Sequence, residues 1–169
     1  TLAKAAELKY YNPEITVLGY MNSRHLIPGS PRYEECVSDA TLFAYDDYNQ
    51  KIMNISFNTY LMDIRNPMWI DKLVMWYFEM PPEVDGIFLD RASPTLPTQI
   101  YSTLPSDYDP GNYAEAMKDL FDRLQKETGG YVIMNGIKEG LKYNGYLNSL
   151  DGGVLEGFMF YRNDQRILA

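Results

Sequence analysis

Apolar positions along this chain alternate between helical spacing and short unbroken runs, and the two patterns take turns from one end to the other. Leu2, Ala5, Ala6 and Leu8 share one face of a helix over residues 2–11, which Asn12-Pro13 ends because the residue before proline is pushed out of the helical region. Residues 15–21 then read as a buried strand carrying Tyr20 and Asn22 to its C-terminal end. Tyr60, Leu61 and Met62 predict the next strand, ending at Asp63. Asn66-Pro67 is a helix start, with an Asn cap and proline in the first turn, and Trp69, Leu73, Trp76, Tyr77 and Met80 follow at helical spacing until Pro81-Pro82.

Residues 84–89 are the clearest strand, apolar on consecutive positions as expected of a parallel strand covered on both faces, and they end at Asp90. After a proline-rich loop, Asp109-Pro110 opens a helix whose stripe is Tyr113, Met117, Leu120, Phe121 and Leu124, with Gly129-Gly130 as its stop. Residues 131–134 predict a strand ending at Asn135-Gly136, and a short helix follows near residues 137–143. The last strand contains Val154 and Leu155, with Phe158, Met159 and Phe160 continuing it around Glu156. Alternation of this kind predicts βα units around a parallel sheet. Five strands would end at Tyr20/Asn22, Asp63, Asp90, Asn135 and Glu156, and ligands of such folds bind outside the carboxyl ends of the strands. The irregular stretch 22–58 reads as an insertion. Its second half, where Asp46, Asp47, Tyr48 and Asn49 separate two apolar runs, predicts a small hairpin or lid.

Composition narrows the chemistry. The formal charge is −8, from 15 Lys and Arg against 23 Asp and Glu, so an acidic chain without a basic cluster argues against a nucleic-acid partner. One cysteine, Cys36, excludes an internal disulfide and a multi-thiolate metal site, and a single histidine, His25, argues against a His-rich metal centre. No run approaches the roughly 18 apolar residues of a membrane span, and no glycine-rich phosphate loop stands at a strand-to-helix junction. Fifteen tyrosines are compatible with a carbohydrate ligand, because Tyr stacks on sugar faces while its hydroxyl hydrogen-bonds. No cofactor or metal is expected. The compartment stays open, with an extracellular setting compatible, and Thr1 is not expected to be the native start.

Four motifs in order carry a family resemblance. The run Val84-Asp85-Gly86-Ile87-Phe88-Leu89-Asp90 resembles a strand of the hypothetical glycosyl-hydrolase-like barrels, notably glycosyl-hydrolase-like family fifteen and, more distantly, the endo-α-1,4-polygalactosaminidases. Leu61-Met62-Asp63-Ile64-Arg65-Asn66-Pro67 resembles the preceding strand and helix start; Val132-Ile133-Met134-Asn135-Gly136 and Asp151-Gly152-Gly153-Val154-Leu155-Glu156-Gly157-Phe158 resemble the two following strands. The resemblance implies a TIM-type (β/α)8 barrel, incomplete in this chain, which would hold strands two to six as one partial domain over 1–169. Two bare sheet edges, at residues 15–21 and 154–160, would then make the isolated piece prone to aggregate and inactive, and the native polypeptide longer.

The same resemblance implies a glycoside hydrolase acting on a polysaccharide or glycoconjugate, with a non-catalytic carbohydrate-binding barrel as the alternative. Glycosidic cleavage needs one carboxylic acid to protonate the leaving oxygen and one carboxylate acting from the other face. By analogy with the α-galactosidase clan, Asp90 would be nucleophile or base and Glu156 general acid, with Tyr20, Asn22, Asp63, Arg91 and Asn135 contacting substrate. Structural roles compete for the same residues. Asp90 could cap a turn at 92–94, Glu156 could pair with Arg162 or Arg91, Asp63 could be purely structural, and Asn135 could be a turn residue before Gly136. His25 and Cys36 lack an evident partner and read as incidental.

Overall fold

A computed structural model describes residues 2–143 and 145–155 of the chain. Helix α1 (Leu2–Tyr11) leads into strand β1 (Leu18–Asn22). A long insertion follows, with strand β2 (His25–Leu26), helix α2 (Pro31–Cys36) and strands β3 (Met53–Asn54) and β4 (Thr59–Leu61). Regular alternation then resumes with α3 (Pro67–Phe78), β5 (Gly86–Asp90), α4 (Pro110–Thr128), β6 (Tyr131–Asn135), α5 (Ile137–Gly140) and β7 (Gly152–Val154). No helix among the described residues is long and apolar enough to cross a membrane.

Two sheets result. The larger is parallel, in the order β1-β5-β6-β7, and the smaller is antiparallel, in the order β2-β4-β3. The expected strand at Tyr60–Met62 therefore exists, but it pairs with β2 and β3 instead of entering the parallel sheet; β1 lies directly against β5, with Asn22 opposite Asp90. Four described strands, not five, make the parallel sheet. Ala44 N bonds to Leu61 O and Ile52 N to Ala44 O around a turn at Asp46–Gln50, so this backbone is satisfied within the insertion. The sheet is mixed-fold α/β with helices covering one side, and the described residues do not close it into a barrel.

The helix ends follow from local chemistry. Asn66 accepts from Met68 N and Asp109 from Asn112 N, each followed by a proline in the first turn, and Gly129 closes α4 in the left-handed region at φ 64°. Ile87, Leu89, Val132 and Met134 are fully buried, in one core with Trp69, Leu73, Met117 and Phe121 of α3 and α4. Side chains alternate along a strand, so the intervening positions lie on the opposite face of the sheet. Register places Tyr20, Phe88 and Ile133 in one row there, and Asn22 and Asp90 in the next.

The N-terminal edge of the sheet is tied by aspartates. Asp85 Oδ2 accepts from Val17 N at 2.7 Å and pairs with Lys9, while Asp151 Oδ2 accepts from Val132 N at 2.8 Å. Each of these aspartates precedes a glycine. At Gly86 the reason is contact: a Cβ there would sit 2.3 Å from Tyr131 O, so only glycine lets β5 and β6 pair at this level.

Candidate active site

Asp90 stands at the C-terminal end of β5, where the strand-end pattern placed it. Its Oδ2 accepts from the Tyr20 hydroxyl at 2.8 Å; its Oδ1 accepts from Asn135 Nδ2 at 3.1 Å and from Arg91 N at 2.9 Å. The carboxylate thus bridges three consecutive strands of the sheet, and it does not cap the turn at 92–94. Burial pushes the Asp90 carboxyl up, but the hydrogen bonds from Tyr20, Asn135 and Arg91 N, together with the Arg91 charge, outweigh it and hold the group below the usual carboxylate range. Arg91 itself sits at φ 59°, a sparsely populated conformation for a non-glycine residue, and its guanidinium lies over the Phe57 ring at 4.3 Å.

Two cavities meet at Asp90 and Arg91. The larger, about 520 Å³, runs from Tyr20 and Asp90 toward Trp76 and Met80 and is walled on one side by Asn54, Phe57 and Thr59 of the insertion. The smaller, about 340 Å³, is lined by Arg24, Ser93, Pro97, Asn135 and Gly136. Volumes of roughly 300–1,000 Å³ are typical of small-ligand sites. Asp90 is the one carboxylate among the described residues lining either of these two cavities.

The other expected residues separate clearly. Tyr20, Asn135 and Arg91 surround Asp90. Asn22 lines the larger cavity, but its Oδ1 accepts from Arg24 N and His25 N and so also fixes the start of the insertion. Asp63 lies elsewhere: it follows β4, outside the parallel sheet, and its two oxygens hold Arg65 at 2.8 and 3.0 Å. Arg65 pairs in turn with Asp107. Strand-end logic failed at Asp63 because β4 belongs to the antiparallel sheet. Glu156 lies outside the described residues, as do Arg162 and the apolar run 158–160. Cys36 is buried, and burial pushes its thiol up.

Besides Phe57, four residues of the insertion that sequence reasoning did not assign to the site also shape it. Arg24 is buried and donates to Ser93 O, Thr95 O and Ser93 Oγ, fastening the insertion to the loop after β5. His25 is buried against Tyr101, with Nε2 at 2.9 Å from its hydroxyl; burial and the charges of Arg24 and Arg91 push the imidazole down to about 3. Asn54 and Thr59 complete the wall. The sequence signal was only the length and irregularity of the segment.

Residues 9–169 match the family described as hypothetical glycosyl hydrolase family 15. The chain belongs to this family. Membership of hypothetical glycosyl hydrolase family 15 supports a glycosidase-like function. Among solved structures the chain is similar to the glycoside hydrolase domain of PelA from Pseudomonas aeruginosa, at 18% identity and a TM-score of 0.58, covering 85% of this chain and 52% of that one. It is similar to a GH31 family sulfoquinovosidase from E. rectale, at 19% identity and a TM-score of 0.58 over 78% of this chain and 21% of that one. An α-galactosidase from Thermus thermophilus matches at 15% identity and a TM-score of 0.52, over 79% and 26%. At these identities the likeness is one of fold, and the chain spans about half the length of the PelA domain. A search of curated proteins finds no match.

Proposed function

We propose that the chain carries the catalytic half-site of a glycoside hydrolase acting on a polysaccharide or glycoconjugate, with Asp90 as nucleophile or base and Glu156 as general acid. The observation that carries the reading is the state of Asp90: a strand-end carboxylate between two cavities, stabilised in its charged form by three donors. A group held ionised suits attack on the sugar or activation of water, and does not suit proton donation. The acid then has to come from elsewhere. Glu156 follows Asp151 by five residues, the interval that separates Asp90 from Asp85, and Asp151 ties its strand as Asp85 does. Tyr20, Arg91 and Asn135 would contact the substrate as well as Asp90; Asp63, committed to Arg65, would hold the backbone beyond β4.

The second reading, a non-catalytic carbohydrate-binding domain, is favoured by one fact: Asp90 has no second carboxylate beside it in the cavities of the described residues. Aryl glycosides with leaving groups of graded acidity separate the two. With a poor leaving group, Asp90→Asn and Glu156→Gln should each lose at least about a thousandfold in turnover; with an activated one that needs no proton, Glu156→Gln should recover and Asp90→Asn should not. Binding of oligosaccharides without turnover by the parent would select the non-catalytic reading.

A further inference from the structure

The insertion contains two polar groups that its own fold leaves without partners. Asn54 and Thr59 face each other across the β3–β4 pair, so their side chains stand on the same side of that ladder. Asn54 is fully buried and Thr59 nearly so. Asn54 Oδ1 accepts from Ser56 N at 3.1 Å, which orients the amide, yet Asn54 Nδ2 and Thr59 Oγ1 have no hydrogen-bond partner among the described residues. Buried polar groups are nearly always paired, so two orphans side by side on a cavity wall call for an occupant that satisfies them.

The chemistry of the cavity narrows that occupant. Asn54 Nδ2 is a donor and the Thr59 hydroxyl can donate or accept, which matches the hydroxyl groups of a sugar. Leu26, Trp76 and Met80 line the same cavity and suit the apolar faces of a pyranose ring. Phe57 on the turn between β3 and β4 is 58% exposed, an aromatic surface at the mouth beside Arg91. Apart from Asp90 and Arg91, which belong to the site already described, the lining offers no uncompensated charge: Arg32 pairs with Glu35 and Glu79, and His25 is held neutral.

We propose that the hairpin wall is a subsite for an uncharged pyranosyl unit, held by Asn54 and Thr59 within the cavity and by the Phe57 ring at its mouth. Placing that unit next to a scissile bond rests on the glycosidase reading of Asp90; the binding itself does not.

The test uses the whole chain in an Asp90→Asn background and methyl hexopyranosides of glucose, galactose and mannose, with methyl glucuronide and methyl glucosaminide as charged counterparts, followed by NMR saturation transfer and titration. At least one uncharged pyranoside should bind, with its charged counterparts no tighter. Thr59→Val and Phe57→Ala should each weaken it roughly tenfold. Thr59→Val should keep or raise the melting temperature, because it removes a buried hydroxyl that has no partner, and exposed Phe57 can be truncated without loss of fold. Failure of every uncharged pyranoside to bind, tighter binding of a charged one, or unchanged affinity in both variants would overturn the subsite. Hydrolysis measured separately distinguishes the two ideas. Full turnover by Asp90→Asn with weakened binding in the hairpin variants removes the catalytic role of Asp90 and leaves the subsite, and lost turnover with unchanged binding in the hairpin variants does the reverse.

Discussion

Asp90 accepts three hydrogen bonds, and each comes from a different position on the rim: Tyr20 on β1, Asn135 on β6 and the backbone of Arg91. The Tyr20 bond is the easiest to remove cleanly. In Tyr20→Phe the carboxylate loses a donor to its charged form, so its pKa rises, and the acid limb of any activity that needs ionised Asp90 moves to higher pH. A carboxyl ¹³C titration of Asp90 reads this directly; an unmoved midpoint would mean that Tyr20 does not hold the charge. His25 makes the converse case. It is neutral when folded down to about pH 3 but takes up a proton near pH 6.5 when unfolded, so its contribution to stability is complete above about 6.5 and is lost as pH falls toward 3. The melting temperature should therefore drop from pH 7 to pH 4, and less steeply in His25→Gln; an imidazolium signal from folded protein at pH 5 would contradict the assignment. Arg91 holds φ at 59° between these two groups, a cost of about 1–3 kcal/mol that the fold bears where Asp90 is positioned.

Among the elements, the Asp-Gly pairs fasten the parallel sheet at the edge opposite the one that carries Asp90. Asp85 and Asp151 tie neighbouring strands at the N-terminal edge, and Gly86 leaves room for Tyr131. Gly86→Ala should destabilise the chain by about 1–3 kcal/mol, because the new methyl meets backbone that cannot move aside. Asn66→Ala should cost about 1–2 kcal/mol, since it removes both the cap of α3 and the bond to Thr41 O at 2.8 Å. Urea denaturation measures both, and a loss below about 0.3 kcal/mol in either variant would refute its stated role. Strands β1, β5 and β6 were readable in the sequence because each is a mostly apolar run ending in a polar residue, and α3 and α4 because Asn-Pro and Asp-Pro announce them. The strand ending near Asp63 was misplaced for the same reason: Leu61 and Met62 are fully buried, so their pattern equals that of a parallel strand, and periodicity does not say which strand becomes the partner. Tyr20, Asn22, Asp90 and Asn135 followed from strand ends alone. Arg24, His25, Asn54, Phe57 and Thr59 did not, because only the folded insertion brings them over the rim.

As a whole the molecule divides its labour between two sheets. The parallel sheet packs one side on α3 and α4 and sets Asp90 at its C-terminal edge; the antiparallel insertion encloses a cavity above that edge. Membership of hypothetical glycosyl hydrolase family 15 and the fold shared with glycoside hydrolase domains give this arrangement its functional context. The measurement that tests it most directly is the release of reducing ends from a panel of polysaccharides and glycoconjugates by the parent and by Asp90→Asn, with circular dichroism to establish that both are folded. The nearly isosteric amide removes only the charge, so turnover should fall by about three orders of magnitude or more while the fold persists. A folded Asp90→Asn protein that cleaves a substrate of the parent at an undiminished rate would contradict the account.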